Sequence, residues 1–167
     1  MTTALIAVLF LLAVVLLHVT VLPTVLPTTF RPDALLAATM TWGALAGYRQ
    51  AVAVGVVGGF LVDLWGDAPI GVTGLLVGAV AFLTAVGEIP LVPANALFPL
   101  LAAFVGELLV QGLRIILFQA LGRPVEIVEP MPALILLTAV STALLALGFY
   151  PFARWLDRRR RGPRLEW

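Results

Sequence analysis

Long apolar runs recur along this chain, and each is ended by a cluster of helix breakers. The separators read LPTVLPTTFRP, WGDAP, EIPLVP and GRPVEIVEP, and the prolines and glycines in them interrupt a helical backbone. The runs between them come close to, or reach, the roughly 17–25 residues that cross a hydrocarbon core about 30 Å thick. Lipid offers backbone amides no hydrogen bonds, so a crossing segment must satisfy them internally, as a helix does. Six spans are predicted on this basis: Thr3–Leu22, Asp33–Tyr48, Gln50–Trp65, Ile70–Gly87, Ala94–Leu121 and Met131–Phe152. The second and third are short and joined only by Tyr48-Arg49-Gln50, which predicts a tight helical hairpin and a locally thin bilayer.

Composition supports this reading. Of 167 residues, 62% are hydrophobic and only 11% charged, too few polar groups to cover the surface of a soluble domain. The expected fold is therefore an all-α polytopic membrane protein. It comprises one six-helix transmembrane domain over residues 1–156 and a basic tail over 157–167. The N-terminal run lacks the basic region and small-residue cleavage site of a signal peptide, so it is read as a retained first span. No segment outside the membrane is long enough to bury a core of its own. No internal repeat is evident, which argues against an alternating-access carrier.

Arginine sets the expected orientation. There is no lysine, and six of the ten arginines lie between Arg154 and Arg164. The positive-inside rule places that end in the cytoplasm, and an even number of spans puts the N-terminus there too. Arg49 then also faces in, Arg31 and Arg123 face out, and Arg114 lies within the membrane. Arg154, Arg158, Arg159, Arg160 and Arg161 are assigned to topology and to anionic lipid headgroups. Phe149, Tyr150, Phe152 and Trp155 read as an aromatic belt before the tail, and Pro151 as a kink or end of the last span.

Two sets of residues stand out within the spans. Gly43 and Gly47, Gly55 and Gly59, and Gly74 and Gly78 are each spaced four apart. Glycines at that spacing share one helical face and let backbones approach closely, within the bundle, against a partner helix or against a second copy. Asp63 continues the Gly55–Gly59 face. Glu107, Gln111 and Arg114 share a face of the fifth span, which must point into the bundle or a wet cavity. Matching depths across helices predict an Asp63–Arg114 pair, with all four polar residues in one network. A proton or substrate path is the functional reading of that network; a structural clamp or a socket for a partner's helix is the simpler one. His18 is read as an interfacial hydrogen-bonding residue, and Asp67 as a capping or helix-ending residue.

Catalytic templates are missing. The sequence has no cysteine, one histidine and one serine, and no phosphate-binding loop or metalloprotease motif. No metal, cofactor, nucleic-acid partner or enzymatic activity is expected.

The stretch PDALLAATMTWGALAGYRQAVAVGVVGGFLVDLWGDAPIGVTGLLVGAV, from Pro32 to Val80, resembles the MreD family of rod shape-determining proteins. The resemblance lies in a proline-led span, a short turn, then G-x-x-x-G-(F/L)-x-x-D at Gly55, Gly59 and Asp63, and a further span with Gly71. It implies a non-enzymatic component of the bacterial cell-elongation machinery in the cytoplasmic membrane. Such proteins bind the single-pass protein MreC and act with the MreB filament system. They support peptidoglycan synthesis by RodA and its penicillin-binding transpeptidase. The family is also similar in fold to the S components of energy-coupling-factor transporters, which implies a bundle with a groove or cavity. The alternative reading is an actual S component that binds a vitamin. Against it, Ala4, Ala7 and Ala13 do not give the alanine-x-x-x-alanine spacing that those proteins carry on their first span.

Overall fold

Pro23 marks the first departure from a regular helix. It has no N–H, and in an α-helix its ring would meet the carbonyl of Val19. In the computed structural model, helix α1 (Thr2–Leu16) accordingly widens into a π-helical turn (Leu17–Val21) before the single turn of α2 (Leu22–Val25). Hydroxyl groups take up carbonyls in this region: Thr20 Oγ1 donates to Leu16, and Thr24 Oγ1 to Thr20 and Val21. The structure describes residues 2–27, 31–66, 69–86, 97–122 and 131–161. Among these, every regular element is helical, continuing with α3 (Ala34–Ala46), α4 (Tyr48–Trp65), α5 (Val72–Val86), α6 (Leu97–Ala120) and α7 (Met131–Arg161).

Helix α3 is the centre of the bundle. Every residue from Ala34 to Trp42 is buried, and α3 touches α1, α4, α5, α6 and α7. A helix that is apolar all round belongs in such a place. Its 13 residues span only about 20 Å, less than a hydrocarbon core, but its neighbours rather than lipid surround it. Its first turn is capped by the Asp33 carboxylate, which accepts the Leu36 N–H at 2.8 Å. Its last turn ends at Gly47, where φ is +91°, a conformation that L side chains rarely adopt. Gly47 thus makes the abrupt turn into α4 and packs against nothing within 4 Å. Within the chain Gly47 therefore serves the turn, and the packing part of the stripe falls to Gly43.

Three helical stretches are long and apolar enough to cross a membrane: Val8–Val25, Leu97–Ala120 and Met131–Arg159. The other helices are shorter or more polar. The polarity of the whole is inverted relative to a soluble protein: Leu9, Leu16, Phe82, Leu101, Leu136 and Leu144 lie on the outside, while Asp33, Asp63 and Glu107 are buried. Carboxylates inside and leucines outside are the arrangement that a lipid solvent favours.

The two ends of the bundle differ. At one end Trp42, Ala153 and Leu156 form a cluster with Ile6, Leu45, Ala46 and Val54. The starts of α1 and α4 therefore meet the ends of α3 and α7, and Arg49 lies at the same end as the basic tail. Pro151 does not end the last helix, since α7 runs through it to Arg161. Helical backbone thus extends from the apolar segment into the tail without a break. The aromatic belt is divided as well. Phe152 and Trp155 are exposed and Tyr150 is buried, while Phe149 packs on the core with its ring 6.0 Å from Phe10.

Candidate functional site

Helices α4 and α5 make the most extensive helix–helix contact in the molecule, and glycine makes it possible. A Cβ on Gly59 would lie 2.4 Å from both Cα and N of Gly74, and one on Gly74 would lie 2.8 Å from the Val56 carbonyl oxygen. Gly78 receives Val56, with a Cβ there only 2.5 Å from Val56 Cγ2, and Gly55 faces Val77 and the Gly78 amide. These stripes are occupied within the chain, where close backbone approach gives the van der Waals contact that holds membrane helices together. Gly43 meets Ala51 across the α3–α4 turn, with a Cβ at 2.8 Å from the alanine methyl. Two further glycines of this kind were not singled out in the sequence: Gly58, against Leu35 of α3, and Gly106, against Val80, Met40 and Leu36.

Asp63, in the last turn of α4, reaches across to the start of α5. Its Oδ2 accepts the Gly71 N–H at 2.9 Å and the Thr73 N–H at 3.0 Å. The first amides of a helix lack intrahelical acceptors, and a carboxylate there is further favoured by the helix dipole. Asp63 is therefore a cap supplied from the neighbouring helix, and it is buried. This arrangement stands in place of the expected Asp63–Arg114 pair: among the described residues the Asp63 carboxylate is taken up by backbone amides of α5. Asp67 lies outside the described residues.

Glu107, Gln111 and Arg114 belong to a different cluster, at the end of the bundle away from the basic tail. Gln111 Nε2 donates to Glu107 Oε1 at 2.7 Å. Thr142 of α7 joins two elements: its Oγ1 donates to Glu107 Oε2 at 3.4 Å and accepts the Asp33 N–H at 2.9 Å. Asp33 Oδ1 in turn lies 3.5 Å from His18 Nδ1. The result is a polar pocket of about 300 Å³ whose lining includes His18, Arg31, Asp33, Glu107, Gln111, Arg114 and Thr138. The structure thus keeps three of the four expected network members together. It substitutes Asp33, His18 and Thr142 for Asp63. The sequence carried one signal for Asp33: an aspartate directly before an apolar helical run is an N-cap pattern.

Chemically the pocket offers positioned donors and acceptors. Among the described residues, no three histidine, aspartate or glutamate side chains are placed to hold a metal ion. At the opposite end, Arg159 stacks over Trp155 at 4.2 Å and Arg154 lies 6.0 Å from the Tyr150 ring. Arg158, Arg160 and Arg161 are in the closing turns of α7. Arg123, Arg164 and the EIPLVP separator lie outside the described residues.

The chain that folds into this glycine-packed hairpin and polar pocket was compared with known families. The model of the rod shape-determining protein MreD matches residues 1–156. The chain belongs to the MreD family. As an MreD-family protein it is a membrane protein, and the role that membership implies is rod shape determination. No curated protein and no solved structure matches the chain. In this MreD-family chain the matched region takes in the hairpin, the polar pocket and α7 as far as Leu156, leaving only the basic end outside.

Proposed function

We propose that this MreD-family protein is a non-catalytic scaffold of the cell-elongation machinery in the bacterial cytoplasmic membrane. It binds the single-pass protein MreC and supports peptidoglycan synthesis by RodA and its penicillin-binding transpeptidase, together with the MreB system. The observation that carries this reading is the family match along 156 residues. A vitamin-binding S component would also use a pocket, but the family match favours the scaffold.

The proposed arrangement is six spans with both termini in the cytoplasm. Charge supports it, because Arg49 and the tail arginines share one end of the bundle while Arg31 and Arg114 belong to the other. The glycine faces of α4 and α5 are closed against each other, so the partner helix is assigned to the outer side of the same hairpin. A shallow apolar groove runs there between Val52, Val56 and Phe60 of α4 and Leu75, Ala79 and Phe82 of α5. A second copy of the chain is the competing occupant.

Function and orientation can be read in one experiment, because the chain has no cysteine. Depleting it in its host should turn rods into spheres, and re-expressing single-cysteine versions at Arg31 or Arg158 should restore rods. An impermeant maleimide added to intact spheroplasts should then label the Arg31→Cys protein and spare Arg158→Cys. Unchanged rods on depletion would remove the functional reading, and labelling at position 158 from outside would reverse the orientation.

A further inference from the structure

We propose that the pocket at the end of the bundle away from the basic tail binds a phosphate-class anion, with Arg31 and Arg114 as its ligands.

The pocket holds two carboxylates and two guanidinium groups, so its preference depends on which of them remain open. The acidic side is engaged. Asp33 accepts the Leu36 N–H and faces His18. Glu107 accepts from Gln111 on one oxygen and from Thr142 on the other, and it is 1% exposed. The basic side is open. Among the described residues the Arg114 guanidinium makes no hydrogen bond, and Arg31 makes a single long one, from Nη2 to the Pro23 carbonyl oxygen at 3.5 Å. A guanidinium carries five N–H donors in a planar fork that matches phosphate and carboxylate oxygens. Two such groups lining one cavity leave most of those donors without acceptors.

A cation would have to compete for Asp33 Oδ1 and both Glu107 oxygens, which already accept hydrogen bonds, whereas an anion meets guanidinium N–H groups that are mostly uncommitted. Arg114 is half-buried, where charge-assisted bonds are less screened by water, while Arg31 is exposed at the rim. At about 300 Å³ the pocket is at the small end of ligand sites, which suits an inorganic oxyanion or a lipid phosphodiester rather than a large cofactor. His18 Nδ1, buried without a hydrogen-bond partner among the described residues, supplies a further polar atom to the wall. Pro23 and Pro32 stiffen the rim that carries Arg31.

The two sources of such a group are distinguishable. The full chain, purified in a mild uncharged detergent, is titrated calorimetrically with inorganic phosphate, short-chain phosphatidylglycerol and short-chain phosphatidylcholine. Phosphate or phosphatidylglycerol should bind, and both Arg114→Gln and Arg31→Gln should weaken that binding roughly tenfold or more. Arg31 is at the surface, so its variant reports on the site even where Arg114→Gln fails to fold. The control Arg49→Gln, at the opposite end of the bundle, should bind as the parent does. Phosphate binding supports a free anion as the ligand, and phosphatidylglycerol binding alone supports a lipid headgroup. The proposal is overturned when neither anion binds, when phosphatidylcholine binds as tightly as phosphatidylglycerol, when Arg31→Gln retains parental affinity, or when Arg49→Gln loses binding as the pocket variants do.

Discussion

Gly59→Ala should be the most damaging single methyl that can be added to this protein. The new Cβ would lie 2.4 Å from the backbone N and Cα of Gly74, so no side chain can rotate away to admit it. Either α5 moves away from α4, losing the close contact along Gly55, Gly74 and Gly78, or the hairpin fails to close. Overpacking of this kind costs about 1–3 kcal/mol, and a rigid backbone obstacle belongs at the upper end. The internal control is Gly112→Ala in α6, where an added methyl meets nothing within 4 Å and helix propensity favours alanine by up to about 1 kcal/mol. Thermal unfolding in a mild detergent should therefore show a large drop for Gly59→Ala and none for Gly112→Ala. Equal effects would mean that the α4–α5 contact does not hold the bundle.

Asp63→Ala should follow in size. It removes the acceptor for two backbone donors, Gly71 N–H and Thr73 N–H, at a buried helix start. Loss of a cap costs about 0.5–2 kcal/mol, and the burial of the two orphaned donors puts this one at the upper end. Asp63→Asn keeps an oxygen that can accept one of the two bonds and should recover part of the loss. Because Asp63 is held by the amides of α5 while Arg114 lines the polar pocket, the double variant Asp63→Ala/Arg114→Gln should equal the sum of the singles to within about 0.5 kcal/mol. A coupling larger than that would restore the direct pair that helix depth alone suggested.

These two residues also mark what a sequence of this kind reveals. The glycine stripes were legible because a four-residue spacing fixes a helical face whatever lies opposite. The helical segments were legible because hydropathy and breakers repeat along the chain. The partner of Asp63 was not, because its ligands are backbone amides, and every residue except proline carries one. The central position of α3 was equally hidden: an apolar segment reads alike whether lipid or other helices surround it, and its short length pointed to a thin bilayer instead. Glu107, Gln111 and Arg114 followed from helical periodicity on α6. Asp33, His18 and Thr142 come from three other elements, and their meeting depends on how α1, α3 and α7 pack. Pro151 does not end the last helix, and Ala153 and Leu156 beyond it pack against Trp42.

The proposed role of this bundle as a membrane platform for an MreC-type partner is open to a direct experiment. Its most direct test is co-purification from membranes in which both proteins are expressed, using a tag on this chain and a photoactivatable residue at Val56 or Phe82. The bitopic partner should elute with the chain in mild detergent and be captured from both positions. A folded chain that elutes alone, or crosslinks confined to α6 and α7, would contradict it.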